Sequence, residues 1–305
     1  MRLLFNMLLL LAAAATTASP AIAHPRRAFR DGPGLPRMVV IPAGHALLGS
    51  SDAETTREGR SPATAAFEHP RREVAFARPF AVGEYHVTRA EFARFVAATQ
   101  RDMAGCLVAL AGKWSDGPLP AYSYANPGWP QRADEPVVCV NWADATAYAE
   151  WLSARTHHRY RLLTEDEWEY AARGSTLTAR WWGDDPTAIC TRANGGDRRF
   201  AAFMPSDKSA NLTCDDGYTF TNPVARFAPN RFGLHDMLGN AWQWTANCFA
   251  AVPVAAPPAG PCAARSIRGG SWHNSVSTLR AAARFSLPPT MRSSSLGFRV
   301  MRELP

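Results

Sequence analysis

After Gly174 the chain loses its hydrophobic periodicity, and turn signals follow one another for most of the remaining length. Gly183-Asp184-Asp185-Pro186, Asn194-Gly195-Gly196-Asp197, Asp215-Asp216-Gly217 and Ala228-Pro229-Asn230 each mark a change of direction. A segment this long without a helical or strand period has few backbone ladders to hold it. It needs a packed interior together with cross-links or bound ions. Composition agrees: 47% of the 305 residues are hydrophobic and ten are tryptophan, alongside 21 glycines and 24 prolines. That apolar content supports a sizeable core and excludes a disordered or collagen-like chain.

Regular structure is concentrated earlier. Thr88-Arg89-Ala90-Glu91 reads as a capping box, with Phe92, Phe95 and Val96 then on one helical face. Asn141 can cap a second helix with the stripe Trp142, Ala145, Ala149 and Leu152. Thr164-Glu165-Asp166-Glu167 opens a third, with Trp168, Ala171 and Ala172 inward and Gly174 as its stop. Strands are predicted at Met38–Ile41, along Val74–Val82 with a break at Pro79, at Ile267–Gly270 and at Phe298–Met301. The predicted class is α+β with low regular secondary structure, in one domain over residues 38–303.

Residues 1–23 read as a signal peptide: Arg2, an apolar run from Leu3 to Ala15, and Ala21-Ile22-Ala23 as the cleavage site. Residues 24–37 are Pro/Gly/Arg-rich and are expected to form a flexible leader. The apolar run is shorter than the roughly 20 residues of a membrane span, and no cysteine stands near the cleavage point to carry a lipid. The expectation is a periplasmic or secreted monomer with no stable membrane anchor. In that compartment Cys106, Cys139, Cys190, Cys214, Cys248 and Cys262 form an even set without C-x-x-C or zinc spacing, which favours structural disulfides. Six cysteines allow about 15 connectivities. Sequential pairing is expected, because 106–139, 190–214 and 248–262 each close a short, turn-rich segment. The net charge of +7 comes almost wholly from arginine, since only Lys113 and Lys208 are lysines, and no basic run accompanies it. Nucleic acid is therefore not an expected partner.

Several blocks occur in a fixed order: Ile41-Pro42-Ala43-Gly44, Tyr85-His86-Val87-Thr88, Val140-Asn141-Trp142-Ala143-Asp144-Ala145, and Tyr160 through Gly174. Phe232-Gly233-Leu234-His235-Asp236-Met237-Leu238-Gly239-Asn240-Ala241-Trp242-Gln243-Trp244, Arg268-Gly269-Gly270-Ser271-Trp272 and Leu296-Gly297-Phe298-Arg299-Val300 complete them. In this order they resemble the formylglycine-generating enzyme, or sulfatase-modifying factor, family. The resemblance implies that family's fold, with a C-type-lectin-like core. It also implies oxygen-dependent chemistry on a cysteine or serine of a target sulfatase, at copper held by two cysteines after the Gly-Gly-Ser-aromatic motif. Here Gly269 to Arg280 contains no cysteine, and a thiolate pair is what makes such a site soft enough for Cu(I). Copper is not expected. No H-x-x-x-H-x-E run is present either, so the iron chemistry of the ergothioneine-synthesis relatives is not expected.

The chain thus resembles most the exported pyoverdine-maturation oxidases. The expected function is oxidoreductase-type maturation or tailoring of a protein, peptide or peptide-derived substrate. A non-catalytic accessory protein binding a partner in the same cleft is the alternative. The resemblance puts Ser271, His273, Arg280 and Arg284 in the cleft as catalytic candidates, with Trp272 and Arg292 against substrate. A turn-forming Ser271, a core Trp272 and arginines paired with carboxylates, Arg299 among them, are the competing reading of the same residues. The resemblance also implies structural calcium at Asn194, Gly195, Asp216 and Tyr218, and more weakly at Asp236, Gly239, Ala241 and Gln243, where Gln replaces the usual Glu. Asp216 and Asp236 could instead stabilise turns. Glu165, Asp166, Glu167 and Glu169 are expected to serve a helix N-terminus, His157 and His158 to be exposed, and Trp242 and Trp244 to pack in the core.

Overall fold

In the computed structural model, which describes residues 27–208, 211–253 and 261–305, the chain opens with β1 (Ala28–Phe29), β2 (Met38–Ile41) and β3 (Gly44–Leu48). Two short helices follow, α1 (Asp52–Arg57) and α2 (Pro62–Ala65), then β4 (Arg72–Phe76) and β5 (Phe80–Gly83). The long helices α3 (Arg89–Thr99) and α4 (Trp142–Thr156) flank the hairpin of β6 (Ala109–Leu110) and β7 (Lys113–Trp114). Next come β8 (Tyr160–Leu162), α5 (Glu165–Arg173) and α6 (Arg198–Phe203). The strands β9 (Trp242–Cys248), β10 (Arg265–Arg268), β11 (Arg284–Leu287), β12 (Leu296–Phe298) and β13 (Val300–Glu303) close the chain.

Helices α3, α4 and α5 start at Thr88, Asn141 and Thr164, each with a complete reciprocal capping box. Gly174 ends α5 in the left-handed conformation. His157 does the same for α4 and, like His158, is exposed. Two predicted strands are in fact split. The break at Pro79 separates β4, which pairs with β3, from β5, which joins a five-stranded sheet. The predicted Phe298–Met301 strand is divided at Arg299, β12 belonging to one sheet and β13 to another.

The five-stranded sheet has the order β1-β2-β5-β13-β8, and the four-stranded sheet the order β11-β10-β9-β12. Among the strand pairs of the described residues only β12–β9 is parallel, with Leu296, Gly297 and Phe298 opposite Trp242, Gln243 and Trp244. Helices α3 and α4 bury Phe92, Phe95, Tyr148 and Leu152 with Trp244 and Phe298 in the largest core cluster. Trp168 and Tyr170 of α5 bury with Val39, Val82 and Met301 in a second.

The leader expectation is corrected. The expected signal peptide over residues 1–23, like residues 24–26, lies outside the described residues, but from residue 27 the segment is tied down. Ala28 and Phe29 pair with Val39 and Met38, Leu35 is buried, and Asp31 accepts the Tyr160 hydroxyl at 2.5 Å. The Asp31 carboxylate also faces Arg302 at 3.3 Å, so a segment that is turn-rich in sequence is held by a partly buried charge as well as by strand pairing. The disulfides are Cys106–Cys139, Cys190–Cys214 and Cys248–Cys262, as the sequential pairing expects.

Candidate active site

The Gly269-Gly270-Ser271-Trp272 loop leaves β10 through two residues at φ +97° and +73°. A Cβ on Gly269 would stand 2.7 Å from the Met237 carbonyl oxygen, and one on Gly270 2.5 Å from the Leu279 side chain. Both positions thus require glycine on two counts. Ser271 is fully buried, and both its backbone N–H (2.9 Å) and its hydroxyl (2.8 Å) donate to the Asn274 side-chain oxygen. Ser271 therefore organises the turn.

Trp272 is corrected as a substrate contact. It is fully buried, its Nε1 donates to the Ser294 carbonyl at 3.2 Å, and Phe200, Phe220, Trp114 and Trp129 pack around its ring. His273 emerges at the other side. With Asn274 it lines a cavity of about 300 Å³ bounded by Leu107, Trp114, Trp242, Ile267, Phe285 and Leu287. Burial lowers the His273 pKa to about 4, against the pull of the Asp207 carboxylate. Burial thus favours the neutral imidazole, which has one ring nitrogen to accept a hydrogen bond and one N–H to donate. Asp207 also accepts Trp114 Nε1 at 2.9 Å. The ring walls come from separate parts of the chain, and no local signal in the sequence brings Leu107, Trp114 and Phe285 together. Trp244 is in the core as expected, whereas Trp242, only 6% exposed, also borders the cavity.

The arginine clamp is corrected too. Arg280 is enclosed between Glu54 (3.0 Å) and Glu68 (2.6 Å), and Arg284 holds Glu165 through two bonds at 2.7 and 2.8 Å. Arg292 donates to Asp144 at 2.8 Å and to the Ala104 carbonyl at 2.6 Å, fastening the 291–295 segment to the start of α4. Desolvating a guanidinium without a counter-charge is costly, so these side chains turn to the interior carboxylates. Glu167 caps α5, while Glu165 and Glu169 are among the interior carboxylates, Glu169 facing Arg173 and Arg268 at 2.7 and 2.6 Å.

The two cation sites differ. At the first, Asp216 accepts the N–H groups of Gly195 and Tyr218, both at 2.9 Å, while the Asn194 side-chain oxygen is buried without a hydrogen-bond partner. Burial pushes the Asp216 carboxyl up to about 7; the Gly195 N–H opposes this and the Asp197 charge adds to it. An orphaned amide oxygen, on the residue before the N–H that this desolvated carboxylate accepts, fits a hard cation. The second set does not fit, which corrects that expectation. His86 Nε2 donates to the Ala241 carbonyl at 2.8 Å, and the Gln243 side-chain oxygen accepts Trp168 Nε1 at 2.8 Å and Arg299 Nε at 3.0 Å. Arg299 also donates to the His235 and Gly83 carbonyls, both at 2.7 Å. Its guanidinium is the cation of that site. All six cysteines are paired in disulfides, and none stands as a free thiol.

The sulfatase-modifying factor enzyme 1-like domain family matches residues 26–304, nearly all of the chain outside the proposed signal peptide. The chain belongs to the formylglycine-generating enzyme family. It is 36% identical over 256 residues to a formylglycine-generating enzyme of Streptomyces coelicolor, covering 73% of this chain and 77% of that one. It is also 31% identical over 297 residues to the inactive C-alpha-formylglycine-generating enzyme 2 of Mus musculus, with 87% and 85% covered. Among solved structures, PvdO from Pseudomonas aeruginosa superposes with a TM-score of 0.74 at 33% identity, over 92% of this chain and 99% of that one. The α+β fold is thus that of the formylglycine-generating enzyme family.

Proposed function

We propose that this chain is an exported, monomeric family member that oxidatively tailors a peptide, protein or peptide-derived substrate, with dioxygen as oxidant and without a two-thiolate copper site. The observation that carries this reading is the cavity beside His273, immediately after the family's Gly-Gly-Ser-aromatic loop. The likeness to PvdO, a protein of pyoverdine maturation, supports a peptide-derived substrate. Three disulfides are consistent with export, and no helix among the described residues is long and apolar enough to cross a membrane. His273 is the residue proposed to hold or accept a proton at its imidazole, and Ser271 positions it through Asn274. Calcium, held by Asn194, Gly195, Asp216 and Tyr218, would supply fixed positive charge to the loops and no redox chemistry.

The test is oxygen uptake by the mature protein with candidate peptides, read together with the mass change of the peptide. Substrate-dependent uptake with a matching mass change is expected. Binding without uptake or mass change would favour the accessory reading, which the likeness to a mouse relative named as inactive also supports.

A further inference from the structure

The cavity beside His273 has a chemical character that goes beyond the reading of where substrate binds. Trp114 meets the His273 ring edge-on, with centroids 5.0 Å apart at 68°, and Trp242 meets Phe285 edge-on at 5.1 Å and 64°. Both ring pairs line the same space, together with Leu107, Ile267, Leu287 and Met291. Among the described residues lining it there is no Asp, Glu, Lys or Arg. Neighbouring charges are engaged elsewhere: Arg284 by Glu165, Arg292 by Asp144, Arg60, over the Phe285 ring, by Glu68, while the Asp207 carboxylate near His273 accepts Trp114 Nε1.

Size narrows the occupant further. At about 300 Å³ the cavity is at the small end for ligand sites. It admits one ring-bearing group, the remainder of a larger substrate staying outside. A charged group entering it would lose its hydration without a counter-charge. A neutral ring would extend the edge-to-face array that the two ring pairs begin. Ser293, Ser295 and Asn274 at the margin offer hydrogen bonds to a ring hydroxyl or an adjoining amide.

We infer that this cavity receives a neutral aromatic side chain or ring of the substrate and rejects charged ones. The inference rests on the proposed reading of the cavity as the substrate site, but it concerns binding, so it is tested without turnover. The probes are N-acetyl-tyrosinamide, N-acetyl-tryptophanamide, N-acetyl-argininamide and N-acetyl-aspartamide, titrated against the mature protein by ligand-observed NMR.

The aromatic amides should bind at least tenfold more tightly than the charged ones. Met291→Asp places a carboxylate at the half-exposed margin. It should weaken the aromatic amides about tenfold and strengthen N-acetyl-argininamide, a reversal that mere loosening of the fold would not produce. Trp114→Ala, also at a half-buried position, should weaken the aromatic amides alone and serves if Met291→Asp does not fold. Equal affinity for all four probes, no aromatic binding, or aromatic binding unchanged in both variants would overturn the inference. Aromatic binding with the expected variant effects but no oxygen uptake would leave it standing and count against the oxidative reading only.

Discussion

Arg280 shows why a basic chain of this kind carries little free positive charge. It is fully enclosed, and its two carboxylate partners come from α1 and from the segment before β4, more than 200 positions away in sequence. No local pattern announces such a pairing, so its role was open in sequence and is settled by packing. Arg280→Met leaves Glu54 and Glu68 buried with less counter-charge, and should cost about 3–5 kcal/mol of stability. Chemical denaturation measures it; a loss below about 1 kcal/mol would mean that Arg60 and Arg71, which also face these carboxylates at 3.1 and 3.2 Å, are sufficient. His86 gives a pH-dependent counterpart. Burial, and then the Arg299 charge, lower its pKa to about 3, although the Ala241 carbonyl favours the charged form. A histidine with a depressed folded pKa binds fewer protons than the unfolded chain does. Its contribution is therefore intact above about 6.5 and is lost as pH falls towards 3. Between pH 7 and pH 5 this amounts to about 2 kcal/mol. His86→Gln keeps a donor to Ala241 without the titration. The wild type should lose about 2 kcal/mol more than this variant over that interval in denaturation curves, and parallel curves would contradict the assignment.

At the scale of elements, what was legible depended on whether the signal is local. The caps Thr88, Asn141 and Thr164 and the stop Gly174 act within one turn of chain, and the three long helices follow from them. The division of the C-terminal strand at Arg299 is not local. Phe298 pairs with Trp244 while Val300 pairs with Leu162, and the residue between them is held by carbonyls at Gly83 and His235. The candidate site divides in the same way. The glycine pair and His273 stand together in sequence, but the ring walls from β7, β9 and β11 meet only in the fold. Gly269 carries this into a prediction. Its φ of +97° and the 2.7 Å approach of the Met237 carbonyl leave no room for a side chain. Gly269→Ala should destabilise the protein by about 1–3 kcal/mol through backbone strain. It should also shift the His273 resonances in NMR spectra, because the loop that carries the imidazole must move. A variant with unchanged stability and unchanged His273 resonances would show that the loop tolerates a side chain there.

For the whole molecule, the question is what holds the long aperiodic part in one arrangement. Between α5 and β9 the described chain has one short α-helix, α6, a 3-10 helix over Pro186–Thr191, and no strand. Its constraints include the Cys190–Cys214 disulfide, closing a separation of 24 residues, and the loops joined by the Gly195 N–H donating to Asp216. Cross-linking a loop of that size contributes about 3 kcal/mol by restricting the unfolded chain. The paired substitution Cys190→Ser and Cys214→Ser should lower unfolding stability by about that amount. The proposed calcium would act on the same region from the folded side. An ion that binds only the folded protein stabilises it by about 2.7 kcal/mol at a hundredfold excess over its dissociation constant. Calcium should therefore raise the unfolding temperature of metal-free protein, and a chelator should reverse the rise. Asp216→Asn removes the carboxylate but keeps an oxygen and the size, so it should abolish most of the calcium response. Gln243→Glu, at the set where Arg299 already supplies the cation, should not create a second response. A calcium shift that persists in Asp216→Asn would place the ion elsewhere. No shift in the wild type would make the Asp216 loops self-sufficient, leaving the disulfide and the aromatic core around Trp272 to hold this half of the molecule.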